Sequence, residues 1–154
     1  MRFKYHPGAA EMNDDVLHVF EAVTLTDLGA IRRRVRETAV GFGCGPETAG
    51  ELVIAVNEAV ANIVRHGYGN VPGRIAVRIS AGAKTIKITL QDSAPGFDPT
   101  QVPNPDTTLP LAERPFGGMG VHMMRAFCDE IRYCRTPDGE NELKLLKHFA
   151  GPDD

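Results

Sequence analysis

Apolar residues follow two different periods along this chain. Between residues 16 and 25, Val, Leu and Phe crowd together and predict a first strand. The spacing then changes. Leu28, Ile31, Val35 and Ala39 recur at helical intervals, predicting a helix to about residue 42 with Thr26 or Asp27 as its cap. Arg32, Arg33, Arg34 and Arg36 wrap the remaining surface, which reads as a solvated face; a patch for an acidic partner is the rarer alternative. The segment GFGCGP interrupts the pattern, with glycine as a stop and Pro46 as a first-turn residue. A longer helix is predicted over 47–66, stopping at Gly67 or Gly69.

Alternation takes over next. Residues 74–80 and 84–90 read as two strands of a hairpin, with the turn at 81–83. From 93 to 116 the chain carries six prolines, which predicts an irregular connection. A loop longer than about 12–15 residues is more often a functional lid than inert linker. Residues 98–116 are therefore expected to be mobile without ligand. A third helix begins within 117–120 and runs to about 128. Two strands, over 130–135 and 141–149, close the pattern around the turn PDGE. The order β-α-α-β-β-loop-α-β-β predicts an α+β two-layer sandwich, with helices on one face of a mixed or antiparallel sheet. Residues 1–15 show no periodicity and read as a flexible tail, leaving one domain over 16–150.

Composition changes this picture little. The 42% hydrophobic and 24% charged content is that of an ordinary globular domain. A net charge of −3 gives no overall field for nucleic acid or an anionic membrane. No apolar run is long enough for a membrane span, and the first 15 residues lack a signal-peptide core, so the cytoplasm is the expected location. Cys44, Cys128 and Cys134 form no CxxC pair and read as reduced thiols.

Three segments carry candidate chemistry. The second helix is apolar over most of its circumference, through Leu52, Val56, Ala59, Val60 and Ile63. Glu58, Asn62 and His66 lie at i, i+4 and i+8, along one line. On a helix this buried, an acid and an amide need partners. Those partners are either a structural network or the contents of a cleft, and pattern alone leaves both open. In the second hairpin strand, Asp92 shares a face with Ile86, Ile88 and Leu90, so a carboxylate at the strand end points toward the helices. It is either a turn-forming aspartate or an acceptor for an exocyclic amino group. The run Gly117-Gly118-Met119-Gly120 opens the third helix, where backbone N–H groups can approach an anion. Neither GxxxxGK[ST] nor a GxGxxG after the first strand is present.

Together these segments resemble the GHKL ATPase superfamily, with its Bergerat ATP-binding fold, and in particular the bacterial anti-sigma-factor serine/threonine kinases. ELVIAVNEAVANIVRHGY resembles the family's N box, QDSAPGFDP its aspartate-glycine box, and ERPFGGMGVHMMRAFCDEI its second glycine box with the lid. The resemblance implies ATP or ADP with Mg²⁺, the metal being held by Asn62 and the adenine amino group by Asp92. It implies that Gly96 lets the backbone pass the base, with His66 and Phe97 also contacting nucleotide. Gly117, Gly118, Met119, Gly120 and Val121 would surround the phosphates, Arg114 would reach the terminal one, and Glu58 would be the general base. It implies a homodimer that phosphorylates a STAS-type anti-sigma antagonist and sequesters a sigma factor. A binding module that switches partners without phosphotransfer is the alternative. Two positions depart from the family pattern. Ala94 stands where the first glycine of the middle box belongs, and Leu143 or a neighbour stands where a threonine often supports adenine.

Overall fold

The structure, a computed structural model, describes residues 14–96, 98–101, 103, 108–110, 112 and 119–149. Strand β1 (Asp14–Val23) leads through a 3-10 turn (Leu25–Asp27) into α1 (Leu28–Gly41) and α2 (Pro46–Asn62). A π turn (Ile63–Gly67) extends α2. The hairpin β2 (Gly73–Ala81) and β3 (Thr85–Asp92) follows, then a 3-10 turn (Pro99–Gln101), α3 (Met119–Phe127), β4 (Glu130–Arg135) and β5 (Asn141–His148). The element order is the one the hydrophobic pattern predicts. The sheet runs β1-β2-β3-β5-β4, and all four pairings are antiparallel, so the option of a mixed sheet falls away.

Period two decides which side of the sheet the helices cover. Ile75, Val77 and Ile79 of β2, Ile86, Ile88 and Leu90 of β3, and Leu143 and Leu145 of β5 project into one core. Leu52, Val56, Ala59 and Val60 of α2 and Met124 of α3 meet them there. The central helix α2 is buried on several sides because α1 and α3 flank it while the sheet lies beneath. The outer face carries the polar alternates: Gln91 donates to Glu142 at 2.9 Å, and Lys144 pairs with Glu142 at 3.1 Å. Lys147 ties the layers together, pairing with Glu51 of α2 at 2.6 Å and donating to the Phe127 carbonyl at the end of α3.

Local corrections have local causes. The first hairpin turn uses residues 82–84, one residue later than the AGA segment suggested, and closes with Gly82 N–H donating to the Thr85 carbonyl at 2.8 Å. The stop after α1 is Gly43, whose φ of +97° is costly for a side chain. Cys44 and Cys128 are buried and Cys134 is exposed, all three free; burial pushes the Cys128 thiol to about 11. No helix among the described residues is long and apolar enough to cross a membrane.

The π turn ends in Tyr68, whose hydroxyl donates to the Arg74 carbonyl at 2.6 Å and accepts from Ser93 N–H at 2.9 Å. Two bonds pin the ring against Gly73, where an added Cβ would lie 2.5 Å from the ring carbons. Gly73→Ala is expected to cost about 2 kcal/mol, because a pinned ring cannot step aside. That corresponds to a fall in Tm of roughly 5 °C, which a thermal melt measures. An unchanged Tm would mean that the ring is free to move.

Candidate functional site

Several polar groups of the inner layer gather at one end of the sheet. Glu58 and Asn62 stand one turn apart on α2, both half-buried. The first turn of α3 crosses directly above them. A Cβ at Gly120 would lie 2.8 Å from Glu58 Oε2 and 3.6 Å from Asn62 Nδ2. A side chain at position 120 would press on the Glu58 carboxylate, and glycine avoids that contact. Two segments more than fifty residues apart in the sequence thus meet.

Asp92 ends β3 on the same inner face and is 4% exposed. Its Oδ1 accepts from Ala94 N–H and from Asn141 Nδ2, each at 2.9 Å. Asp92 and Asn62 line one narrow hollow with a cavity volume of about 30 Å³, whose walls include Ala59, Ile63, Met124 and Leu143. The hollow is mostly apolar with a few polar groups set in its wall, the usual character of a small-molecule site. Burial raises the Asp92 pKa above the ordinary carboxylate value, opposed by the Asn141 amide and the Ala94 N–H; Glu140 adds to the rise and Arg135 lowers it.

That rise has a consequence for stability. A raised carboxyl pKa means that the folded chain binds the proton more tightly than the unfolded chain. The ionised carboxylate is therefore a net cost above the folded-state pKa, and the cost disappears as pH falls below the unfolded value. Asp92→Asn keeps the shape and both donors, so it is expected to melt on the order of 2 °C above the parent at pH 8. The gap should close toward pH 4. Scanning calorimetry across this range checks the sign, and a lower Tm for the variant at pH 8 would refute it.

The other expected site residues fall in several places. His66 lies exposed in the π turn and, like Glu58, is not among the residues lining the hollow. Val121 is 3% exposed and belongs to the core. Met119 begins α3. Gly96 is exposed at the strand exit, and an added Cβ there would lie 2.8 Å from Arg135 Nη1. Phe97, Arg114, Gly117 and Gly118 lie outside the described residues, as does most of the expected lid. Of that segment, Pro99 is buried and lines the hollow, and the Thr100 carbonyl accepts from Arg125 of α3 at 2.8 Å.

Ala94 is 2% exposed, and its methyl lies 3.0 Å from where a Cβ on Gly67 would be. Among the described residues Asn70 alone of the non-glycines has positive φ, so the backbone at 94 does not require glycine. Sequence reasoning missed Asn141, Tyr133 and Arg135. The signal for Asn141 was available: it shares period two with Leu143 and Leu145, which puts an amide on the inner face.

A two-layer α+β domain with an amide and an aspartate lining one apolar hollow between helix and sheet has the architecture of a small-molecule-binding domain. Comparison with known proteins gives the class its family. The chain belongs to the histidine kinase-like ATPase domain family, whose family model matches residues 22–147. Its position is in the GHKL superfamily near the anti-sigma-factor kinases. It is 32% identical to the serine/threonine-protein kinase BtrW of Bordetella bronchiseptica over 101 residues, covering 64% of this chain and 70% of that one. It is 30% identical to the anti-sigma F factor of Bacillus subtilis over 103 residues, covering 65% and 69%. The crystal structure of the RsbU and RsbW domains of Rv1364c from Mycobacterium tuberculosis superposes with a TM-score of 0.57 at 18% identity. That likeness is one of fold; it covers 89% of this chain and 33% of the longer one.

Proposed function

We propose that this chain is an ATP-dependent protein serine kinase of the anti-sigma-factor type. The observation that carries the reading is that Asn62, which lines the hollow together with Asp92, meets Glu58 and the start of α3 at Gly120. Relatives named as a serine/threonine-protein kinase and as an anti-sigma F factor support it. Asp92 receives the adenine amino group, and the phosphates extend toward the start of α3, where Gly117 and Gly118 precede the helix.

The donor set suits Mg²⁺. No cluster of three His, Cys, Asp or Glu exists among the described residues, so a metal caged by protein alone is not supported there. One amide oxygen with phosphate oxygens and waters is the kind of shell Mg²⁺ prefers. When bound, the ion neutralises charge on the phosphates. Asn62 would hold it through its side-chain oxygen. Glu58 takes the proton from the substrate serine as the serine oxygen bonds to the γ-phosphorus and the bond to the β-phosphate oxygen breaks, releasing ADP.

The protein substrate in this reading is a STAS-type anti-sigma antagonist, and the sequestered partner is a sigma factor. The working form is a cytoplasmic homodimer. Calorimetric titration with ATP and ADP, with and without Mg²⁺, tests the site first, and label transfer from ATP to a STAS-type protein tests the reaction. Absence of any heat with ADP and Mg²⁺ would end the nucleotide reading. Binding without transfer to any partner would leave a nucleotide-dependent switch that exchanges partners.

A further inference from the structure

We infer that Asn141 is a positioning residue for the base end of the site, gripping one oxygen of Asp92 so that the other is presented to an adenine amino group. The inference rests on the nucleotide reading above and adds to it a residue that the family resemblance does not supply.

The grip is specific in its atoms. Asn141 begins β5 directly opposite Asp92 in the β3–β5 register and is 6% exposed. Its Nδ2 donates to Asp92 Oδ1 and to the Ala94 carbonyl, each at 2.9 Å. Its Oδ1 accepts from the Tyr133 hydroxyl at 2.6 Å and from Arg135 Nη1 at 3.1 Å. A flipped amide would set its NH₂ against a guanidinium, which only donates, and its oxygen against a carboxylate, which only accepts. Arg135 and Asp92 therefore lock the orientation from opposite sides.

The consequence falls on Asp92. Its Oδ1 is taken by two N–H donors, whereas no bond reaches Oδ2 from the described residues. No buried side-chain nitrogen or oxygen lacks a partner there, so Oδ2 is open, and Asp92 opens onto the hollow. The next inward residue of β5, Leu143, offers no hydrogen bond. Asn141 is thus the β5 side chain that can fix the carboxylate, and Tyr133 of β4 fixes Asn141 in turn. The charged and titratable groups near Asp92 are Glu140 and Arg135 from the β4–β5 hairpin and Tyr68 from the end of the π turn.

A purely structural role would make Asn141 a staple for the turn at Ala94. The two roles differ in what they do to base recognition and to its pH dependence. The test uses the full chain and Asn141→Leu, titrated with ADP and with inosine diphosphate, which carries a carbonyl oxygen in place of the amino group. Both titrations contain Mg²⁺ and run from pH 6 to 8.5. The parent is expected to prefer ADP by at least about tenfold. Asn141→Leu should lose most of that preference. Its remaining ADP affinity should also fall as pH drops toward 6, because the donor that favours the ionised carboxylate is gone. Tyr133→Phe, which keeps the edge strand intact, should reduce the preference by about threefold in the same direction.

If Asn141→Leu or Tyr133→Phe weakens both nucleotides equally, with the parent's pH profile, the residue is a staple and the inference is overturned. If Asn141→Leu melts too low to titrate, Tyr133→Phe decides alone, and an unchanged preference overturns the inference. A parent chain that binds ADP and inosine diphosphate equally would instead refute the role of Asp92 itself. That failure is separate, because it appears before any substitution is made.

Discussion

Asn62→Ala is expected to weaken Mg²⁺-dependent ADP binding by about 100-fold or more, beyond the 10–100-fold typical of losing an outer-shell partner of a metal ligand. Asn62 is the amide that lines the hollow on the α2 side, one turn from Glu58 and 3.6 Å from the position a Gly120 Cβ would occupy. Removing it deletes the one side-chain oxygen that this reading assigns to the metal. The control is on the same helix. Asn57 faces away from the hollow and accepts from Arg32 of α1 at 2.8 Å in an exposed pair. Asn57→Ala should leave ADP affinity unchanged and shift stability by no more than about 0.5 kcal/mol, as surface substitutions do. Calorimetric titration of both variants reads the difference directly. Equal effects from the two would mean that the polar stripe of α2 is structural rather than a ligand site.

The second large effect belongs to Glu58→Gln. This exchange keeps the side chain's length and its packing beneath the Gly120 backbone while removing the proton acceptor. Phosphoryl transfer to a serine should fall by about 10²–10⁴-fold, the usual contribution of a positioned general base. Nucleotide affinity should stay within about threefold, because the resemblance assigns neither the metal nor the base to Glu58. Single-turnover transfer of label, measured beside ADP titration, separates the two quantities. Transfer at the parent rate would remove Glu58 from the chemistry. Loss of binding together with transfer would make it a structural acid under α3.

The two tests bear on different links of the argument. Asn62 reports on the pocket, which a partner-switching module would share with a kinase. Glu58 reports on the reaction, which the switch would lack. A chain that fails only the second remains a nucleotide-binding member of its family.

Local pattern carried most of the fold. Period 3.6 in α1 and α2 and period two in β2, β3 and β5 depend on neighbours within a few residues, and the strand and helix assignments came within a few residues of those observed. The inward aim of Asp92 was likewise local, since it follows from the alternation of Ile86, Ile88 and Leu90. The C-terminal turn of α2 marks the limit of that reasoning. The i, i+8 line assumed an unbroken α-helix, whereas the chain widens at Ile63 to let Tyr68 N–H donate to the Ile63 carbonyl at 2.8 Å.

What the residues determined by themselves was the set of elements, the burial of α2 and the direction of its two polar side chains. Only the tertiary structure decided that α3 would start on top of Glu58 and Asn62, and that Asn141 would meet Asp92 across 49 residues of chain. The reason is register. A slip of one residue in the β3–β5 pairing would move Asn141 to the outer face, and no periodicity within either strand specifies which partner stands opposite. The packing of the whole inner layer sets that pairing, and with it the shape of the site.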